Sequence, residues 1–233
     1  MKVLAVDTAT EACSAALAVG DRILERWQRC ERGHVEQLPG MVEALLTEAG
    51  LVPAQLDALV AGIGPGSFAG VRVGVAYAKG LALALERPVF GVSSLAMLAV
   101  QAAREHPDVA HWWAAIDARM GEVYLGLYAT QPILAAVVAE RVVAPAALPG
   151  SVTGSGAGAV GSGWAAHGRA LAAALGSPQP ILAAALPQAV DALALALPRL
   201  LAGEGFDAGR LAPSYLRERV ALTLAEQRAA AGR

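Results

Sequence analysis

Short apolar runs and helix-spaced apolar positions follow one another along the first half of the chain. Apolar runs at residues 3–6 and 12–19, separated by a polar turn, and the segment 22–30 after a tight turn at Gly20 and Asp21 predict three antiparallel strands. From Val35 to Ala49 the apolar positions recur at intervals of three and four, and the pattern stops at Gly50. This spacing predicts an amphipathic helix with a glycine C-cap.

The pattern then alternates between strands and helices. A strand is predicted at residues 59–63, a helix at 71–85 and a strand at 89–92. Ser94 is the predicted N-cap of a further helix that runs to about Arg104. The predicted order of elements is therefore βββαβαβα.

The second half repeats the beginning of this order. Apolar runs at residues 112–117, 122–128 and 137–143 predict another three-stranded meander. Residues 144–163, rich in alanine, proline, glycine and serine, predict a loop with one short strand. Alanine-rich helices are expected at residues 164–175 and 187–201. The predicted fold class is α/β with two similar halves. The predicted units are residues 1–105, residues 106–220 and a polar tail at residues 221–233.

Composition narrows the class of protein. Hydrophobic residues make up 56% and charged residues 16%, which excludes a disordered chain. The net charge of -2 provides no basic face for binding nucleic acid without a partner. Cys13 and Cys30 have no metal-site spacing and are predicted to be reduced core thiols. Asp7 and Glu11 interrupt a signal-like start, and charged residues break the apolar stretches, so a soluble, cytoplasmic protein is expected.

The stretch GIGPGSFAGVRVG, residues 62–74, is the most glycine-rich candidate for a site. It lacks the Gly-Lys-Ser/Thr of a nucleoside triphosphate loop, and Pro65 stands where a nucleophile elbow needs glycine. We therefore interpret it as a turn in which Gly64 and Gly66 supply unusual dihedral angles and Ser67 caps the next helix. A second glycine motif, at Gly156, Gly158 and Gly161, lacks the downstream acid of a dinucleotide fold and is attributed to composition. The four histidines are scattered, and no metal site is predicted.

The helix after this loop has two unusual stripes. Gly70, Gly74, Ala78 and Ala82 recur every four residues and form a stripe of small side chains, while Arg72, Lys79 and Glu86 form the polar stripe. A helix that is apolar on most of its circumference is buried on several sides. Two interpretations remain open: a central helix packed within the fold, or a helix that docks on another subunit. We favour docking, because the preceding helix has only one apolar face with which to cover it.

Several segments together resemble the TsaB (YeaZ) family of the glycoprotease-like (Gcp-like) superfamily. They are VDTATEACSAAL, GIGPGSFAGVRVGVAYAKGLALAL, GVSSLAMLA, DARMGEVYLGLY and APSYLRERV. Members of this family help to make threonylcarbamoyladenosine (t6A) beside the tRNA anticodon. The resemblance implies the fold of actin, sugar kinases and Hsp70 (ASKHA), in which turns like residues 7–11 and 117–121 hold nucleotide phosphates between two halves. The nucleotide-facing residues implied here are Asp7, Thr8, Thr10, Gly64, Gly66, Ser67 and Asp117.

The resemblance also implies a non-catalytic subunit. Such a subunit would form a heterodimer with the transferase TsaD, act with the ATPase TsaE and form a homodimer when alone. Because the net charge of -2 provides no basic face, tRNA is expected to be contacted only indirectly. ATP or ADP would be bound only in the assembled complex. The catalytic paralogue uses two histidines separated by three residues. Here His34 matches the first, but Leu38 occupies the position of the second. Ala69 replaces a threonine that is common in the family, which weakens any ligand-positioning role of the loop. The residues expected at the partner interface are Gly70, Arg72, Val73, Gly74, Tyr77, Ala78, Lys79 and Leu81; no catalytic residue is expected.

An enzyme remains the alternative. An ATP-dependent small-molecule kinase needs carboxylates for its substrate and for magnesium, which Asp7 and Asp117 could supply. A peptidase is less well supported, because the sequence has neither a metal site nor a catalytic triad.

Overall fold

The fold is known from a computed structural model, which describes residues 1–30, 32–131, 134–148 and 156–217. The predicted polar tail at residues 221–233 lies outside these residues.

The first sheet begins with an antiparallel meander and is completed by two parallel strands. Its strands are β1 (Lys2–Asp7), β2 (Ala12–Val19), β3 (Arg22–Arg29), β4 (Ala58–Gly62) and β5 (Val89–Val92). They lie in the order β3-β2-β1-β4-β5. β1 pairs antiparallel with β2 and parallel with β4, and β5 pairs parallel with β4.

The second sheet repeats this arrangement. Its strands are β6 (His111–Arg119), β7 (Glu122–Ala129), β8 (Ala135–Val143), β9 (Gly158–Val160) and β10 (Ile181–Leu182). Their order, β10-β9-β6-β7-β8, matches that of the first sheet when it is read from the other edge. The α/β class and the repeated meander predicted from the sequence are thereby confirmed.

Five α-helices connect and cover the sheets within the described residues. They are α1 (His34–Ala49), α2 (Phe68–Leu85), α3 (Ser94–Glu105), α4 (Ser162–Leu175) and α5 (Ala189–Leu201). Gly50 ends α1 in a left-handed conformation, as predicted. The prediction that Ser94 caps α3 is wrong. The cap is Ser93, whose hydroxyl accepts hydrogen bonds from the amides of Leu95 and Ala96.

The two halves exchange helices. α3 follows the first sheet in sequence but packs on β6 and β7, whereas α5 follows the second sheet but packs on β1, β2 and β4. The two helices also pack against each other, and Arg104 of α3 forms an ion pair with Asp191 of α5 at 2.5 Å. The predicted division into units at residues 105 and 106 stays a prediction.

A C-terminal strap, defined here as residues 206–217, runs along the first half and reaches the second. Phe206 pairs with the first residue of β5 through two backbone hydrogen bonds. The ammonium group of Lys79 in α2 donates hydrogen bonds to two carbonyl oxygens of the strap, at 2.7 and 3.1 Å. At the far end Arg217 forms an ion pair with Glu122 of β7 at 2.5 Å. The strap therefore links α2 to the second sheet.

Buried apolar side chains fill both faces of the first sheet. The prediction that Cys13 and Cys30 are reduced thiols in the core is confirmed, since both are free and buried. By length and composition alone, α2 could cross a membrane. Within the fold, 33% of its residues are buried inside the chain.

Candidate functional site

The glycine-rich loop and the start of α2 lie directly on the turn between β1 and β2. A Cβ atom added to Gly66 would lie 2.2 Å from the carbonyl oxygen of Ala9, and one added to Gly70 would lie 2.2 Å from that of Thr8. No side chain fits at these distances, so glycine is required for the close approach. Gly64 has the predicted unusual dihedral, with φ of 91°. Gly66 does not have a positive φ, so the prediction that it supplies an unusual dihedral angle is wrong. Glycine is needed at this position for close packing.

The small-residue stripe of α2 faces inward. Gly70, Gly74, Ala78 and Ala82 are all buried by the chain itself. At Gly74 an added Cβ would meet the hydroxyl of Thr8 at 2.7 Å. The prediction that this stripe forms the docking surface for a partner is therefore wrong for Gly70, Gly74 and Ala78. The alternative, a stripe packed within the fold, describes them correctly.

The opposite side of α2 is also apolar, and the described part of the chain leaves it largely uncovered. We define the outer face of α2 as Ala69, Val73, Ala76, Gly80 and Leu83, which recur at intervals of four and three. Leu83 is 53% exposed, and Phe68 at the start of the same helix is 57% exposed. Such spacing forms a straight apolar stripe along a helix, of the kind that packs against another helix.

The other predicted partner residues flank this outer face. Arg72, Tyr77, Lys79 and Leu81 are each partly exposed, as is Val73 on the outer face itself. The guanidinium carbon of Arg72 lies 3.2 Å from the centre of the Phe68 ring and 5.1 Å from the centre of the Tyr215 ring. The assignment of these residues to an interface stays a prediction.

A cleft of about 960 Å³ lies between the two halves. Four of the predicted nucleotide-facing residues line it: Thr10, Gly66, Ser67 and Asp117. Ser67 also caps α2, as predicted, because its hydroxyl accepts a hydrogen bond from the amide of Gly70 at 3.3 Å. The cleft thus joins the turn between β1 and β2, the glycine-rich loop and the turn between β6 and β7.

Asp7, Thr8 and Gly64 do not line the cleft, so the prediction that they face a nucleotide there is wrong. Asp7 is completely buried. One of its carboxylate oxygens accepts a hydrogen bond from the amide of Ala9 at 3.2 Å, and the other has no hydrogen-bond partner among the described residues. Burial raises the pKa of Asp7 to about 7. The hydroxyl of Thr8 donates to the carbonyl oxygen of Gly70 at 2.7 Å.

Asp117, in contrast, lies at the cleft and already has a cationic partner. Its carboxylate lies 3.0 Å from the guanidinium of Arg119 and accepts the Arg119 amide at 2.9 Å. His167 lies 3.6 Å from the same carboxylate. The Nε2 atom of His34 forms a hydrogen bond with the carbonyl oxygen of Thr10 at 2.9 Å. Leu38, four residues further on, is buried in the core. Across the described ranges, no group of three or more histidine, cysteine or acidic residues could hold a metal ion.

Sequence reasoning missed several residues of the cleft. Arg29, Arg32, Tyr215 and Arg217 line it. Tyr215 and Arg217 reach the cleft only because the C-terminal strap returns to it, and no local pattern in the sequence signals that return. The glycine motif that was attributed to composition has a packing role: a Cβ atom on Gly158 would lie 2.4 Å from the ring of Trp112.

Known proteins resemble this chain over most of its length. A family model described as "TsaD: tRNA N6-adenosine threonylcarbamoyltransferase" matches residues 28–221. The tRNA threonylcarbamoyladenosine biosynthesis protein TsaB of Haemophilus influenzae is 37% identical over 176 residues, which cover 72% of this chain and 74% of that protein. TsaB of Escherichia coli K12 is 46% identical over 128 residues, so the alignment spans only 55% of either protein.

A solved structure matches more completely. YeaZ from Pseudomonas aeruginosa has a TM-score of 0.85 and 39% sequence identity, covering 92% of this chain and 99% of that one. Two sheets of equal strand order that share a cleft define an α/β protein, and the likeness to YeaZ supports the ASKHA-like class that the resemblance implied. The relatives narrow this class further. The chain belongs to the TsaB (YeaZ) family.

Proposed function

We propose that this chain is a non-catalytic subunit in the biosynthesis of threonylcarbamoyladenosine in tRNA. The names of the relatives support the pathway, since proteins of 37% and 46% identity are called tRNA threonylcarbamoyladenosine biosynthesis proteins. The proposed partners are the transferase TsaD, as a heterodimer, and the ATPase TsaE. The proposed location is the cytoplasm.

The outer face of α2 carries this proposal. A helix of 18 residues with buried residues on one side would normally present polar side chains on the other. Here the exposed side presents alanine, valine, glycine and leucine. Contiguous apolar surface of this kind indicates a protein interface. Small residues such as Ala76 and Gly80 let a second helix approach closely, and nothing lies within 4 Å of an added Cβ at Gly80.

Docking on this face would act through conformation rather than chemistry. A subunit that binds only the active form of the transferase increases the population of that form. Without its partner the chain would pair with a second copy through the same face. ATP or ADP would be held only in the assembled complex.

The test compares two exposed alanines on two helices. Ala76→Arg places a charge in the middle of the outer face, and Ala170→Arg makes the same change on α4, away from the cleft lining and from α2. We expect Ala76→Arg to reduce co-purification with TsaD, and tRNA modification in a mixture with TsaD and TsaE, by at least tenfold. Ala170→Arg should behave as the wild type. If Ala76→Arg assembles and activates normally while folded, the outer face is not the interface.

The kinase alternative is tested on the chain alone. It requires Asp7 and Asp117 to meet magnesium and substrate, but Asp7 is completely buried beneath Gly62. Incubation of the isolated chain with Mg-ATP and candidate sugars should give no phosphorylated product beyond background. Steady turnover by the lone chain would contradict the scaffold proposal.

A further inference from the structure

The cleft between the halves has a charge opposite to that of the whole chain. Its lining includes the four arginines Arg29, Arg32, Arg119 and Arg217, together with only two carboxylates, those of Glu11 and Asp117. The chain as a whole has a net charge of -2. Three of these arginines have acidic partners: Arg29 pairs with Glu11, Arg119 with Asp117 and Arg217 with Glu122. Basic side chains still outnumber acidic ones at the cleft, and this excess favours an anionic ligand there.

Three long helices start at this cleft and reinforce its charge. His34 begins α1, Phe68 begins α2 and Ser162 begins α4, and all three residues line the cleft. α1 and α4 have no side-chain hydrogen bond at their N-caps, Gly33 and Gly161. The N-terminal end of a helix carries a partial positive charge and free amide groups. These ends add to the attraction that the arginines exert.

Exposed aromatic side chains stand beside the arginines. Phe68 and Tyr215 line the cleft, and their side chains are 57% and 56% exposed. Their ring centres are 6.4 Å apart, and Arg72 stacks on Phe68 at 3.2 Å. Exposed aromatic rings that lie side by side form an apolar patch, and such patches mark binding sites. Aromatic rings interleaved with guanidinium groups are the features with which proteins hold unpaired bases and the phosphates between them.

From these features we propose that the cleft binds a single-stranded segment of RNA directly. Tyr215 would stack on a base, and Arg32 and Arg119 would contact the flanking phosphates. The choice of RNA as the strand rests on the proposed function in tRNA modification. The expectation that tRNA is contacted only through a partner depended on the net charge of the chain, which conceals the local charge of the cleft.

Binding is measured with the isolated full chain by fluorescence anisotropy. The probe is a labelled oligoribonucleotide of about ten nucleotides, within the range that one protein groove covers. The double variant Arg32→Gln, Arg119→Gln should weaken binding at least tenfold at low salt and reduce the salt dependence of the affinity. Arg119 has an 86% exposed side chain, so this change should not disturb folding. The matched control is the double variant Arg141→Gln, Arg169→Gln, which removes two exposed arginines outside the cleft lining and should bind as the wild type.

A second pair of variants separates stacking from charge. Tyr215→Ala should weaken binding about fivefold or more, and Tyr215→Phe should retain it, because only the ring is needed. Two competitors identify the ligand. ADP that binds as tightly as the oligonucleotide, or a glutamate-rich peptide that displaces it, would overturn the RNA proposal, as would equal binding by the control and the Arg32→Gln, Arg119→Gln variant. A chain that activates TsaD but binds no RNA would refute this inference and leave the proposed function intact.

Discussion

Replacement of Asp7 by asparagine should stabilise the protein at alkaline pH. Asp7 ends β1 and is completely buried, with one carboxylate oxygen 3.2 Å from the amide of Ala9 and the other without a partner among the described residues. Burial without a cation nearby makes the charged form unfavourable. Asparagine has nearly the same shape as a protonated aspartate and carries no charge.

The magnitude follows from the pKa of this carboxyl. Burial raises the pKa of Asp7 from 3.8 to about 7, so the folded chain binds the proton more tightly than the unfolded chain. The free energy of unfolding is therefore unaffected below about pH 4 and falls as the pH rises towards 7. At about 1.4 kcal/mol for each unit, the loss at pH 8 approaches ~4 kcal/mol. The Asp7→Asn variant would avoid that loss, which corresponds to a gain of roughly 10 °C in Tm for a chain of this size.

Thermal unfolding followed by circular dichroism at pH 4, 6 and 8 measures the effect. Asp7→Asn should exceed the wild type most at pH 8 and least at pH 4, and Asp108→Asn, at an exposed position, should not reproduce the gain. Other buried acids, such as Asp191, are present in both proteins and cancel in the difference. A gain of equal size at every pH, or destabilisation at pH 8, would refute the reasoning. The variant should also retain the proposed activation of TsaD, because Asp7 is completely buried and is not part of the outer face of α2.

Three further predictions concern packing and the strap. Gly70→Ala should lower the free energy of unfolding by about 1–3 kcal/mol, because its Cβ would meet a backbone oxygen at 2.2 Å. Gly80→Ala in the same helix should raise the free energy of unfolding by about 0.5–1 kcal/mol, because nothing lies within 4 Å of the added Cβ. Chemical denaturation measures both changes. Lys79→Met removes two hydrogen bonds to the strap and should increase hydrogen exchange in residues 206–217 at least tenfold, as mass spectrometry would detect. Arg104→Met leaves Asp191 buried without its ion pair and should cost about 3 kcal/mol at pH 8, with a smaller loss at pH 5, where protonation of Asp191 removes the charge.

The element order could be predicted because each element carries its own local signal. Alternating glycine turns and apolar runs placed the strands of both meanders, and Gly50 and Ser67 marked helix ends through their conformational and hydrogen-bonding preferences. The cap of α3 was missed by one residue, since Ser93 and Ser94 are equally suitable in sequence and only the backbone geometry separates them.

The orientation of α2 could not be predicted in the same way. A helix that is apolar around most of its circumference has no polar side to indicate which face is buried. Both the inner stripe and the outer face contain glycine and alanine at helical spacing, so spacing alone could not distinguish them. The deciding contact is the approach of the β1–β2 turn to Gly70 at 2.2 Å, which joins residues distant in sequence. The burial of Asp7 and the return of the strap to the cleft depend on similarly distant contacts.

The position of α2 determines how its two proposed roles must be separated. Phe68 lines the cleft and begins the helix that carries the outer face, and Arg72 stacks on it one turn later. A change at Phe68 would therefore alter both surfaces, and its effect could not be assigned to either. Ala76 lies about two turns further along, at roughly 12 Å from Phe68 by helical rise, and does not line the cleft. Ala76→Arg should therefore weaken partner binding without changing the affinity for RNA, and Tyr215→Ala should weaken RNA binding without changing partner binding. Loss of partner binding in Tyr215→Ala would instead mean that α2 and the strap form one continuous interface.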